Sequence, residues 1–205
     1  MRALDDIVAA GKVRYVGCSN FMAWEMVEAI QVSRQHGWAE FVSNQPQYSM
    51  LVRDVETELI HSSAKYSTGI LPYFPLASGF LTGKYIKGVP PRKGVDRFAQ
   101  SRRIKQYEER YLNRDEMFAA LDAIDTAAKA AGISTTLEAA VRWTQYHSAV
   151  DGSLGDAILI DVQRREQMEP TMAASKLETL HESVATAFEE ANEIIRMRSE
   201  YYLQY

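Results

Sequence analysis

The feature that most constrains the fold is a recurrence of about thirty residues, in which a short run of β-branched and aromatic residues gives way to a segment of helical period. Val13, Tyr15 and Val16 form the first run, FVSNQ at 41–45 the second and TGILPYF at 68–74 the third. Each is too short for a helix and rich in residues that suit a pleated surface. Leu4, Ile7 and Val8 recur at helical spacing before the first run, Trp24, Val27 and Ile30 after it, and Val55, Leu59 and Ile60 after the second. Gly11 and Gly37 stand where the first two helices have to stop, in the left-handed position that glycine takes without steric cost. The first helix starts at Met1 without room for a cap, and Gly17 closes the first strand. Strands alternating with helices predict a parallel sheet, and ligands gather at the carboxyl ends of such strands. Ser19 and Asn20 lie at one of those ends.

The regularity breaks from Ala77 to about residue 114, a long segment with Lys84, Lys87, Arg92, Lys93, Arg97, Arg102, Arg103 and Lys105. From charge alone this is a solvated surface loop, with a phosphate-seeking lid as the alternative. Helices are predicted over 115–131, ended by Gly132, and over 134–147, where Ser134 is the cap and Glu138 lies one place beyond the capping-box position. DAILID at 156–161 is the fourth strand; a helix around Pro170 and a last amphipathic helix over 179–197 complete the chain. Four βα units make half of a (β/α)8 barrel or a small open sheet. No glycine-rich turn of the Rossmann or Walker kind follows the first strand.

At 205 residues, 46% hydrophobic and 24% charged, the composition is that of a globular chain with a real core. A net charge of −4 gives no reason to expect nucleic-acid or acidic-membrane binding, so any anion site has to be local. No apolar run reaches the length of a membrane span, and the N-terminus lacks a signal-peptide pattern. Cys18, the single cysteine, reads as a small buried strand residue and excludes an intramolecular disulfide, which suits a reducing, cytoplasmic setting. His36, His61, His147 and His181 have no metal-ligand spacing, so no metal is expected.

Residues 4–21, 43–59, 69–85 and 141–160, taken in order, resemble the aldo-keto reductase family: its fourth helix and fifth strand, sixth strand and helix, seventh strand and loop, and eighth strand with the preceding helix. The last resembles the branch containing aflatoxin aldehyde reductases and related fungal enzymes. The resemblance implies the C-terminal half of a TIM barrel, as one partial domain over 1–205 with a long basic loop at 77–114 and a C-terminal helix and tail at 176–205. It implies NADPH as cofactor. Ser19 and Asn20 match the pair that bonds the nicotinamide carboxamide, and Gln45 matches their partner. Tyr73 matches the stacking aromatic residue. Leu76, Ser78 and Gly79 match the pyrophosphate loop, and Lys84 matches the basic residue closing over it. Taken alone, Ser19 and Asn20 read as a cap for the helix beginning near Ala23.

In the adenosine-phosphate segment, residues 160–172, Glu166 and Gln167 are retained, while Asp161, Gln163, Pro170 and Thr171 depart from the family pattern. An added carboxylate at 161 repels a 2′-phosphate, whereas Arg164 and Arg165 attract it. Phe74 replaces a small polar residue.

In the family a tyrosine, a lysine, an aspartate and a histidine from the first four βα units complete carbonyl reduction. The sequence is expected to begin after them, so no catalytic residue is assigned, and Tyr48 with Lys84 does not replace them. The expected function is reduction of an aldehyde or ketone, in fungal secondary metabolism. The alternatives are an inert cofactor-binding or interaction module and a nonfunctional fragment. An open four-strand piece is also expected to self-associate or to pair with a complementing half-barrel.

Overall fold

The computed structural model describes residues 1–100 and 104–195. Arg102, Arg103, the last predicted helical residues up to Met197 and the tail to 205 lie outside the described residues. Three parallel strands, β1 (Val16–Ser19), β2 (Phe41–Gln45) and β3 (Gly69–Ile70), form one sheet in the order β1-β2-β3. Helices α1 (Arg2–Ala9), α2 (Ala23–His36) and α3 (Leu59–Tyr66) each precede a strand. The remaining helices are α4 (Arg97–Gln100), α5 (Ile104–Tyr107), α6 (Asp115–Ala130), α7 (Thr136–Tyr146), α8 (Arg165–Ala174) and α9 (Glu182–Ile195). None of the described helices is long and apolar enough to cross a membrane.

β2 has the predicted limits, because Pro46 follows and cannot donate to a ladder. β1 lies three residues later than predicted. Val13 and Tyr15 are exposed, whereas Gly17 is inside the strand rather than at its end. A Cβ at Gly17 would lie 2.5 Å from Ser43 Oγ and 2.9 Å from the Ser43 carbonyl oxygen, so only glycine lets β1 approach β2 this closely. β3 is shorter than predicted because Pro72 and Pro75 interrupt the donors, although Gln47 and Tyr73 still pair as an isolated parallel bridge.

The predicted fourth strand is instead an extended segment beside β3. Ala157 and Leu159 donate their backbone N–H groups to Ile70 and Pro72 at 3.1 and 2.9 Å. The Asp156 carboxylate takes the Ile70 N–H at 2.7 Å and the Asp151 N–H at 3.0 Å, occupying the place of a backbone acceptor. A side chain thus ends the ladder that a regular strand would continue.

In α2 the buried face is Ala23, Met26, Ile30 and Ser33, while Trp24 is exposed rather than inward. Glu25 accepts the Met22 N–H at 2.8 Å, so this helix is capped without Ser19 or Asn20. Over 52–66 the predicted helix divides into a 3-10 turn, Asp54–Glu56, and α3. The cap of α7 is Thr135, not Ser134: its hydroxyl accepts the Glu138 N–H at 3.1 Å, and the Glu138 carboxylate pairs with Arg142 at 2.9 Å. Pro170 sits inside α8. Trp143 centres the far side of the core, its ring 6.0 Å from Phe188 and under the Arg53 guanidinium at 5.2 Å.

The 77–114 segment is not a solvated loop. Phe80, Tyr85, Phe98, Tyr107 and Tyr111 are buried, and the rings of Tyr85, Phe98 and Tyr107 stack in sequence with centroids 4.4 and 4.7 Å apart. The aromatic stack gives the segment a packed interior, with Phe80 edge-on to Phe118 of α6 at 5.6 Å.

Candidate functional site

The carboxyl ends of the three strands bring Ser19, Asn20, Gln45 and Tyr73 together. Ser19 Oγ donates to the Gln45 carbonyl at 2.8 Å, and the Asn20 N–H reaches the same oxygen at 3.2 Å. Asn20 itself takes a left-handed backbone, φ 59°, which asparagine tolerates better than most residues. The Tyr73 hydroxyl donates to Asn20 Oδ1 at 2.9 Å, fixing the amide from a strand two places away. These contacts follow from the register, in which Ser19 is opposite Gln45 and Gln47 is opposite Tyr73.

Phe74 continues this cluster, with its ring 4.8 Å from that of Tyr73, into a cavity of about 310 Å³. The cavity is walled by the loop after β3, including Leu76, Ser78, Gly79 and Lys84, by Arg97, and by residues of the 160–171 segment. The loop carries Ala77, Ser78 and Gly79 in consecutive left-handed conformations, φ 48°, 58° and 94°. For the two non-glycine residues this costs on the order of 1–2 kcal/mol each. Ala77 and Gly79 donate their N–H groups back to Phe74 and Leu76, both at 2.8 Å, and are therefore committed to holding the turn. The buried Ser78 hydroxyl has no hydrogen-bond partner among the described residues.

Lys84 Nζ lies 3.8 Å from Asp96 Oδ1, and its alkyl stem passes 3.6 Å from where a Gly79 Cβ would be. Burial depresses the ammonium pKa below its ordinary 10.5, with Asp96 opposing the shift and the Arg92 and Arg164 charges adding to it. Arg97 reaches Asp161 at 2.6 Å and covers the Phe74 ring at 4.8 Å. Gln167 contributes to the wall, but its side-chain oxygen is bound to the Gln163 and Arg164 N–H groups at 2.9 and 3.2 Å, starting α8. Arg164 is exposed and lies outside the cavity wall.

Tyr48 is fully buried, donates to Glu56 and accepts the Ala149 N–H at 2.9 Å. Burial first, then the Glu56 bond and charge, drive its pKa upward, the wrong direction for a proton donor. Cys18 is buried in β1, and burial pushes its thiol up to about 12. Among the described residues no group of three or more His, Cys, Asp or Glu side chains could hold a metal ion.

Sequence reasoning did not single out Arg97, which appeared only as one basic residue among eight. Its partner is 64 positions away, so nothing local marks it. The aromatic residues at 80, 85, 98, 107 and 111 were the available sign that this segment packs.

The profile described as "Aldo/keto reductase family" matches residues 1–193. The chain belongs to the aldo-keto reductase family. It is 33% identical over 202 residues to an aldo-keto reductase of Pseudocercospora fijiensis, a match covering 98% of this chain and 68% of that protein. It is 32% identical to aflatoxin B1 aldehyde reductase member 2 of Homo sapiens, over 88% of this chain and 51% of the relative. Identity to aldo-keto reductase pigE of Monascus ruber is 30%, over 93% and 56%. The chain therefore spans 68% of the first of these relatives and little more than half of the other two.

Proposed function

We propose that this chain provides the NADPH-holding side of an aldo-keto reductase that reduces an aldehyde or ketone to an alcohol. The observation that carries the reading is the convergence of Ser19, Asn20, Gln45 and Tyr73 at the ends of consecutive parallel strands, beside a cavity with Lys84 and Arg97 in its wall. The residues suit the cofactor. With its oxygen held by Tyr73, the Asn20 amide is fixed and its NH2 end is available to a carboxamide oxygen, and Gln45 supplies a second amide. The Tyr73 ring offers a flat apolar surface to a nicotinamide. Ser78, Lys84 and the left-handed loop suit a phosphate, with Leu76 packed beneath them. Arg164, exposed near the start of α8, and Gln167, which fixes that start, support the adenosine end. When bound, the reduced nicotinamide supplies hydride to the carbonyl carbon.

The sheet has the parallel strands and intervening helices of a partial TIM barrel, and we read it as the C-terminal half. The general acid then comes from complementing βα units that meet the β1 edge. Relatives named as aflatoxin aldehyde reductases favour an aldehyde substrate, and those from Pseudocercospora fijiensis and Monascus ruber favour a fungal secondary-metabolite setting. Titrating the purified chain with NADPH and following nicotinamide fluorescence is expected to give saturable binding, weakened about tenfold or more by Tyr73→Ala. A folded chain that shows no saturation at millimolar NADPH would rule the reading out. Saturable binding without carbonyl-dependent oxidation by the chain alone fits the need for the complementing units.

A further inference from the structure

Two cations face the cavity, and each is already paired with a carboxylate, but the two pairs are built differently. Lys84 is next to Asp96, which is buried and held by the Arg92 N–H at 2.8 Å and by the Arg92 guanidinium at 3.2 Å. Asp96 is thus anchored in its own loop. Arg97 is next to Asp161, whose side chain is 60% exposed and whose carboxylate is held, among the described residues, by Arg97. The Arg97 side chain is 29% exposed and has contacts besides that partner, since its guanidinium carbon lies 4.8 Å from the centre of the Phe74 ring and the group is next to the Tyr107 side chain. The cation of the pair thus has further contacts, whereas the carboxylate is the more exposed half. Both residues belong to the cavity wall, and Asp161 lies just ahead of α8, whose N-terminal end favours negative charge.

We propose that Asp161 is a specificity-determining residue that acts as a tethered competitor: its carboxylate occupies Arg97, and a ligand phosphate has to displace it to gain that guanidinium. This rests on the dinucleotide reading of the cavity and extends it to how tightly phosphates are held. A carboxylate and a phosphate oxygen use the same fork of guanidinium N–H groups, so the two cannot pair fully with Arg97 at once. Removing the carboxylate frees a preorganised cation and also removes a repelling charge. Because the competitor belongs to the chain, its effective concentration is fixed, and it lowers phosphate affinity by a constant factor.

The test measures binding directly. Dissociation constants of NADPH, NADH, 2′,5′-ADP and ADP are determined by calorimetry for the full chain, for Asp161→Asn, for Arg97→Gln and for the double variant. Circular dichroism confirms that each is folded. Asp161→Asn is expected to tighten phosphate-bearing ligands about tenfold, and Arg97→Gln in the same chain to abolish the gain. Glu166→Gln, which removes a carboxylate from the same wall without freeing Arg97, is expected to give a smaller gain. A gain shared by all four ligands assigns the displaced pairing to the 5′-phosphate next to adenosine, a gain confined to NADPH, NADH and ADP assigns it to the second phosphate of the pyrophosphate, and a gain confined to NADPH and 2′,5′-ADP assigns it to the 2′-phosphate; all three support the proposal. Dinucleotides that bind the unaltered chain but show unchanged affinity in Asp161→Asn overturn the proposal and leave the dinucleotide reading intact. A gain that survives Arg97→Gln likewise overturns the proposal alone. Absence of binding in every variant overturns both.

Discussion

Lys84 illustrates how a single side chain in this site is tuned by what surrounds it. Its charge is partly desolvated and close to Arg92 and Arg164, so its ammonium releases its proton more readily than a free lysine, with Asp96 only partly compensating. A lysine whose folded pKa is depressed destabilises the folded chain at neutral pH, and that penalty is relieved as pH rises through the folded pKa toward the unfolded 10.5. Its contribution to phosphate binding has the opposite trend, since it requires the charged form. NADPH affinity is therefore predicted to weaken as pH rises through a midpoint below 10.5, and Lys84→Met is predicted to weaken binding about tenfold at pH 7 while flattening the alkaline decline. Calorimetric titrations at a series of pH values check both. At this scale residue type alone misled at the first strand end, where Ser19 and Asn20 read as a helix cap, whereas Glu25 caps α2 and Asn20 takes a left-handed backbone. The sequence was silent on Arg97, whose role comes from an aspartate 64 positions later and a ring at Phe74.

The elements show the same division between local and long-range causes. β2 was legible because its apolar and aromatic pattern and the following proline are contiguous. β1 was misplaced because Val13 and Tyr15 have strand propensity but no partner, whereas Gly17 pairs because it lacks a side chain. Trp24 was placed inward on periodicity together with Ile30; Ile30 is buried, but Ala23 and Met26 take the place of Trp24, a rotation that the helix's own sequence does not choose. The predicted fourth strand is an extended segment instead, because the Asp156 carboxylate takes the Ile70 N–H in the ladder. Asp156→Ala leaves the Ile70 and Asp151 N–H groups without their acceptor and is predicted to cost about 2 kcal/mol, measured by urea unfolding. Gly17→Ala is predicted to be destabilising by about 1–3 kcal/mol, because the methyl group meets Ser43 backbone as well as side chain.

For the molecule as a whole, the decisive feature is a sheet whose β1 edge, among the described residues, has a partner on one side only. Val13, Tyr15 and Val42 are exposed at or near it. An unpaired parallel edge with apolar neighbours invites pairing with another chain or with further βα units. Sedimentation velocity is predicted to show association that increases with concentration and is reduced by Tyr15→Lys, whereas a strictly monomeric chain at about 100 μM would exclude self-pairing through this edge. The alternation of parallel strands and helices was readable from the thirty-residue recurrence. The folding of the 77–114 segment was not, because its charged residues mask a stack of aromatic rings brought together from distant positions. That stack also adjoins Arg97, so the part least legible in sequence positions the guanidinium for which Asp161 and a ligand phosphate are proposed to compete.

The most direct measurement is an NMR experiment on the full chain with NADPH, recording intermolecular nuclear Overhauser contacts between the nicotinamide protons and selectively labelled tyrosine rings. The account predicts contacts to Tyr73 that disappear in Tyr73→Leu while the other tyrosines remain silent. Nicotinamide contacts to a different tyrosine, with none to Tyr73, would contradict it.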